Sequence, residues 1–373
     1  MRITGLETYL VNANPEGLEE AERPRGVNWL FVKLYTDEGI TGVGEGGGWP
    51  EVTATAIREL EHFLKGEDPF EVEKLWMKLH AVLHGHGVTG AVRGGALSAI
   101  DTAVWDIKGK AVKLPVYELL GGKCRDKIRV YGHASTPEKA QQLIDQGYTA
   151  FKCSASVDVI KKLRDAVGYK VEIGLHAHGQ FTPSAAISLG KRAERYEPAF
   201  FEEPVPAENV NALAKVAEKM DIPIATGERL FNKWMFTELL DRGIIDIVQP
   251  EITRLGGITE EKKLAAMAEA HYVTVAPHDG SAGPIAETAN LHILASIPNF
   301  IFLEHPPVAD EVPWITKVVK RLIPEKDGYI EAPAGPGLGI EIDEEEIAQH
   351  PPAKVEDLRY SIEYRSAFPH YLA

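Results

Sequence analysis

IGLHAH (173–178), AFFEEP (199–204), IPIATGER (222–229), DIVQPE (246–251) and VTVAPH (273–278) are five short apolar runs that each finish on His, Glu or both. Runs of this length that are apolar throughout read as strands buried on both faces, as in a parallel sheet. Between them lie SAAISLGKRAERY, ALAKVAEKM and EEKKLAAMAEAH, with apolar residues at helical spacing, so the order is β-α-β-α. The polar residues stand at the C-terminal ends of the strands, where barrels and doubly wound sheets build their sites. Glu202 follows His176 by 26 residues, Glu228 follows Glu202 by 26, and His278 follows Glu228 by 50, about two further units. That regularity carries these side chains to one rim.

Working outward, KIRVYGHA (127–134) and TAFKCSA (149–155) supply two earlier strands and NFIFLEH (299–305) a later one. Eight strands of one kind with intervening helices predict an α/β fold of the (β/α)8 TIM-barrel type. Upstream, ITGLETYLV and NWLFVKLYTD alternate with period two, and residues 52–120 carry helical periodicity. The expected organisation is an α+β capping domain over residues 1–125, a barrel over 126–325, and a turn-rich segment over 326–373 that returns to the cap. Two stretches are expected as lids: the Pro-, Gly- and Glu-rich loop near 13–27 and GGGWP at 46–50. HGHGVTG (84–90) reads as a connector, because no acid or cysteine stands at ligand spacing from its histidines.

The composition, 44% apolar and 25% charged over 373 residues, is that of a globular enzyme, and no apolar run approaches the roughly 18 residues of a membrane span. A formal net charge of -15 argues against nucleic acid as a partner. Cys124 and Cys153 are too few for a disulfide framework, so a reducing cytoplasm is the expected compartment.

Carboxylates at buried strand ends are costly unless paired or bound to a cation. Glu202 and Glu228 on one rim with His176 are an adequate ligand set for a divalent metal ion. Separate pairing of each Glu with a neighbouring base, as Glu228 with Arg229, is the alternative, but it leaves the equal spacing unexplained. His178 lies two residues beyond His176 and faces the same way; its imidazole titrates near neutrality, which suits a general base. His278 with Glu251 beside it is the candidate acid, since a carboxylate favours the protonated imidazole. The bland alternative is a pair of structural histidines.

The helix SAIDTAVWDIKGKAVKLPVYELLGG, followed in order by FFEEPV, IATGERL, DIVQPE, LGGITE and VAPH, resembles the mandelate racemase and muconate lactonizing branch of the enolase superfamily, and within it the acid-sugar dehydratases of galactonate and gluconate type. The resemblance implies a cap closing over a barrel and three acids holding Mg²⁺. Glu202 and Glu228 fall on two of those positions. The third, normally Asp, is His176, a change that favours Mn²⁺ or another divalent transition metal over a hard cation. His178 matches the dehydratase base, and His278 with Glu251 matches a His-Asp pair with a longer acid. The second-strand Lys-x-Lys reads Lys152-Cys153-Ser154, so its second lysine, which racemases use on the opposite face, is missing. The implied reaction is loss of water from an aldonic acid such as galactonate, gluconate or arabinonate. His178 would remove the C2 proton, the metal would stabilise the enediolate, and His278 would protonate the leaving 3-hydroxyl, giving a 2-keto-3-deoxy acid. Lys152 and Arg229 are expected to hold the substrate carboxylate and Glu304 to contact an oxyanion or hydroxyl. The resemblance also implies a homo-oligomer with a small-molecule sugar acid as its partner. A metal-dependent hydrolase barrel, in which His-x-His is a ligand pair, and a non-catalytic binding protein on the same scaffold stay open.

Overall fold

Three antiparallel strands open the chain: β1 (Ile3–Asn12), β2 (Asn28–Thr36) and β3 (Thr41–Gly46). The computed structural model describes residues 1–13, 28–280, 282–305 and 312–353, so nearly all of the expected 13–27 lid lies outside the described residues. Strand β2 is buried on both faces, and its alternation sorts side chains between two cores. Leu30, Val32 and Leu34 join the core of the cap, while Trp29 and Phe31 join the barrel core. One strand therefore glues the two parts together.

The helices α1 (Pro50–Leu64), α2 (Val72–Gly85), α3 (Gly90–Val112) and α4 (Val116–Leu119) complete the cap. Helix α3 is buried along most of its length because it touches both parts. On the cap side β3 presents glycines to it: a Cβ on Gly44 would stand 2.0 Å from the Ala99 carbonyl oxygen. On the barrel side Asp101 accepts from the Thr259 amide (2.9 Å) and hydroxyl (2.6 Å), and Ser98 accepts from the Gly256 amide at 2.9 Å.

The barrel strands are β4 (Lys127–His133), β5 (Ala150–Ser154), β6 (Glu172–His176), β7 (Phe200–Glu202), β8 (Ile224–Thr226), β9 (Ile247–Val248), β10 (Thr274–Val275) and β11 (Leu303–Glu304). Neighbours in this order pair in parallel, β11 pairs with β4, and a parallel bridge between Val275 and Phe300 closes the ring. Among the described residues this is an eight-stranded barrel, at the positions read from the apolar runs. The outer helices are α5 (Pro137–Asp145), α6 (Val157–Val167), α7 (Pro183–Ala193), α8 (Val210–Ala217), α9 (Trp234–Asp241), α10 (Ile252–Leu255), α11 (Gly257–Ala270) and α12 (Pro284–Ser296). Several are capped as their sequences ask: Thr136, Ser156, Thr182 and Asn209 each accept a first-turn amide. The interior is a packed layer of Tyr131, Phe200 and Phe302 against Ala150, Ala225, Ile247 and Ala276, large beside small, as a closed barrel requires.

The C-terminal segment first adds β12 (Val319–Lys320) and β13 (Tyr329–Glu331), the latter antiparallel to β4, and then runs against the cap. Leu338 donates its amide to Asp106 of α3 at 2.8 Å, and Asn12 donates to the His350 carbonyl at 3.0 Å. No helix among the described residues is long and apolar enough to cross a membrane.

His292 of α12 ties these parts together. Its Nδ1 accepts the Tyr117 amide at 3.2 Å and its Nε2 donates to the Leu338 carbonyl at 3.0 Å, which requires the neutral ring. Burial lowers it to about 4 from 6.5. A base whose folded pKa is depressed contributes stability that is complete above pH 6.5 and is lost as the pH falls from there to about 4. The loss is on the order of 3 kcal/mol for a shift of this size. Urea unfolding at pH 7 and pH 4 should show a stability decrement about that much larger in the native protein than in His292→Gln.

Candidate active site

Side chains two residues along a strand face the same way, so the packed interior layer predicts what lines the mouth above it. Above Tyr131, Ala150, Phe200, Ile247, Ala276 and Phe302 stand His133, Lys152, Glu202, Gln249, His278 and Glu304. His176 ends β6, and His178, Glu228 and Glu251 lie just past their strands.

These groups form two connected sets. In the first, Glu304 Oε1 lies 2.5 Å from His133 Nε2 and 2.8 Å from Lys152 Nζ. Lys152 Nζ also donates to Glu202 Oε1 at 2.8 Å; that oxygen is 2.6 Å from His176 Nδ1, and Gln249 donates to Glu202 Oε2 at 2.8 Å. In the second set Glu228 sits between two imidazoles, 3.1 Å from His178 Nε2 and 2.9 Å from His278 Nε2. His278 Nδ1 is 2.7 Å from Glu251 Oε2, and Glu251 Oε1 accepts from the Thr253 hydroxyl at 2.7 Å.

The electrostatics divide the histidines. Burial alone would raise the Glu202 carboxyl, but Lys152 and His176 overcome it and bring it down to about 2. Burial opposes the charges of Glu228 and Glu304 too, and their cationic neighbours, His278 for the first and Lys152 for the second, still hold both well below the usual carboxylate range. Burial would likewise discharge His278, yet Glu228, Glu304 and Glu251 hold it well above the ordinary imidazole range. His178 goes the other way: burial outweighs Glu228 and lowers it. One imidazole is therefore kept protonated and the other neutral.

The two cations expected to grip a substrate carboxylate are both engaged already. Lys152 is 5% exposed and sits between Glu202 and Glu304. Arg229 Nη1 donates to the His178 carbonyl at 2.9 Å and pairs with Glu203 at 2.9 Å, while its Nε is 3.6 Å from Glu228. Arg229 thereby braces an unusual backbone: His178, Gly179 and Glu203 all have positive φ (55°, 70° and 42°), and the Gly179 amide donates to the Glu203 carbonyl at 2.7 Å. The expected GGGWP lid is pinned instead. Gly46 ends β3, Pro50 opens α1, and the Gly47 amide donates to the Thr253 carbonyl at 2.8 Å, against the loop that carries Glu251. A Cβ on Gly47 would stand 2.3 Å from Thr253 Oγ1, so only glycine admits this contact. His133, Gln249 and Glu203 are site residues that the strand-end pattern did not single out; the period of two above the interior layer finds the first two.

Among the described residues no three His, Cys, Asp or Glu side chains are gathered about one point as a metal cage. The donor chemistry nevertheless fits a divalent cation. Glu202, Glu203, Glu228, Glu251 and Glu304 are all buried here; Lys152 pairs with Glu202 and Glu304, Arg229 with Glu203, and the charge of Arg254 acts on Glu251. Burial first, and then the Glu228 charge, push Glu203 up to about 8 against the pull of Arg229. Glu228 Oε2, though close to His278, has no hydrogen-bonding geometry to any donor among the described residues.

Two family models match the chain: "Mandelate racemase / muconate lactonizing enzyme, N-terminal domain" over residues 25–121 and "Enolase C-terminal domain-like" over 135–346. The chain belongs to the mandelate racemase/muconate lactonizing enzyme family of the enolase superfamily. Members of this family typically bind Mg²⁺. The chain is 36% identical to a D-galactonate dehydratase of Ralstonia pickettii (strain 12J), over 92% of this chain and 93% of that one. A mandelate racemase/muconate lactonizing enzyme from Jannaschia sp. CCS1 superposes with a TM-score of 0.86 at 33% identity, covering 95% of this chain and 98% of that one. The 3,6-anhydro-D-galactonate cycloisomerase from Zobellia galactanivorans superposes with a TM-score of 0.85 at 29% identity, covering 94% and 99%.

The braced turn gives this family member a testable weak point. A Cβ at position 179 would need a left-handed backbone and would stand 2.7 Å from Arg229 Nη1. Gly179→Ala should cost about 1–2 kcal/mol in chemical denaturation from the backbone alone, whereas Gly85→Ala, where a Cβ meets nothing within 4 Å, should cost nothing measurable.

Proposed function

We propose that this enzyme removes water from an aldonic acid to give a 2-keto-3-deoxy acid. The observation that carries the reading is the pair of imidazoles on Glu228, with His178 held neutral and His278 held protonated. Dehydration of a hydroxy acid needs one base for the C2 proton and one acid for the departing 3-hydroxyl. His178 takes the first role and His278, backed by Glu251, the second. The relatives named D-galactonate dehydratase support the substrate class.

Glu202, Glu228 and His176 would hold a divalent cation, with Mn²⁺ or another transition metal favoured by the imidazole alongside Mg²⁺. When bound, the cation supplies positive charge to the substrate carboxylate as C2 deprotonation loads negative charge on to it. Lys152 adds fixed positive charge at the floor of the mouth and orients Glu202 and Glu304. Arg229 positions His178 rather than gripping the substrate. Glu304 orients groups that reach the substrate. The partner is a small sugar acid, and we expect the enzyme to assemble as a homo-oligomer.

Galactonate, gluconate, arabinonate and xylonate, each with Mg²⁺ and with Mn²⁺, should be assayed for 2-keto-3-deoxy product. An anhydro-aldonate belongs in the panel, because opening a 3,6-ether breaks the same C3–O bond after the same C2 deprotonation. Product from at least one acid is expected. Hydrolase activity with no product from any of them would overturn the reading. His178→Asn should lower exchange of the substrate C2 hydrogen with deuterium oxide by at least about 100-fold, the usual worth of a general base; exchange at the native rate would assign the base elsewhere.

A further inference from the structure

The mechanism above uses three imidazoles, yet a fourth faces the same mouth. His133 ends β4 two residues above Tyr131 of the interior layer, and its Nε2 lies 2.5 Å from Glu304 Oε1. Its side chain is 40% exposed, against 29% for His176, 25% for His178 and 11% for His278, so it is the most open of the four. Glu304, fully buried, also receives Lys152 and the Asp279 amide, which hold its carboxylate in place against the His133 ring. On the adjacent strand, the position where a second lysine would stand is Ser154. Its amide donates to Ser135 Oγ at 3.1 Å and its hydroxyl is 3.2 Å from the same atom. That sector of the rim is left with His133 as its open titratable group.

Dehydration by itself stops at an enol. His178 then carries the C2 proton, and His278 has given its own proton to the departing water. Conversion of the enol to the ketone still needs a proton at C3. We propose that His133, fixed by Glu304, is a further catalytic residue that delivers this proton to C3, so that the enzyme forms its keto product stereospecifically. In this step the electron pair of the C2=C3 bond takes the proton from a ring nitrogen of His133 and forms the C3–H bond. The enol oxygen loses its proton to water as the C2 carbonyl forms, and bulk solvent reprotonates the open imidazole. The carboxylate bonded to one ring nitrogen fixes the tautomer and orientation of the imidazole. This inference rests on the dehydratase reading.

The test is to run the reaction in deuterium oxide with an aldonate that the panel shows to be turned over, and to read the C3 methylene of the product by proton NMR at early times. Native enzyme should place deuterium in one C3 position in excess of about ten to one, and His133→Asn and His133→Gln, confirmed as folded by circular dichroism, should give both positions equally whatever their rate. A single label position kept in both variants, or an even mixture from the native enzyme, would overturn the role of His133 and leave the dehydratase reading standing. No product from any aldonate with native enzyme would remove the dehydratase reading and this inference together.

Discussion

Five buried glutamates meet at one barrel mouth with Lys152, Arg229 and Arg254 among the cations that face them, and the repulsion in that arrangement governs everything else there. Like charges in a poorly solvated site cannot all ionise without compensation. The chain compensates with imidazoles. His176 closes on Glu202, His278 bridges Glu228 and Glu251, and His133 lies on Glu304. Of these rings His278 is the one whose acids hold it protonated, so in the proposed reaction the gathering of carboxylates also supplies the proton donor. His178 is the exception, because burial outweighs Glu228 there and leaves its ring neutral.

Such a cluster needs a rigid frame, and backbone contacts supply much of it. The β3 glycines let α3 approach at backbone distance, and a Cβ on Gly94 of α3 would stand 1.6 Å from the Arg254 carbonyl oxygen on the barrel. Through Gly47 the cap also bonds to Thr253, whose hydroxyl orients Glu251. The cap thus reaches His278 through three consecutive contacts, Gly47 to Thr253, Thr253 to Glu251 and Glu251 to His278. The Arg229 brace plays the equivalent part on the other side of Glu228, holding a left-handed turn that would otherwise relax and carry His178 with it.

The barrel was legible because its strands are buried on both faces and therefore read as unbroken apolar runs between amphipathic helices. The residues at the tips of those runs, from His176 to His278, announce themselves as polar groups where an apolar pattern stops. His133 and Gln249 did not, since a lone His or Gln near a strand end carries no signal until the interior layer fixes which parity points inward. The bracing contacts of Arg229 were hidden for a related reason. Beside Glu228 it reads as that residue's partner or as a grip on a substrate carboxylate, but the positive φ of His178 and Glu203, which gives Arg229 its acceptor and its further partner, is a backbone property with no mark in either residue type. GGGWP looked like a free lid because glycines usually mean mobility, whereas here they mean close approach.

In the proposed metal site, an imidazole from His176 beside two carboxylates has a consequence that runs through the whole mouth. Three carboxylates around a divalent cation leave a net negative centre, while two carboxylates and a neutral imidazole leave none. A substrate carboxylate approaching the latter meets less repulsion and needs fewer basic residues to hold it. The commitment of Lys152 to Glu202 and Glu304, and of Arg229 to Glu203, then ceases to be a puzzle. With a less negative centre those cations can serve as fixed architecture, and in the proposed mechanism the imidazoles of His133 and His178 are left to meet the substrate while His176 serves the metal.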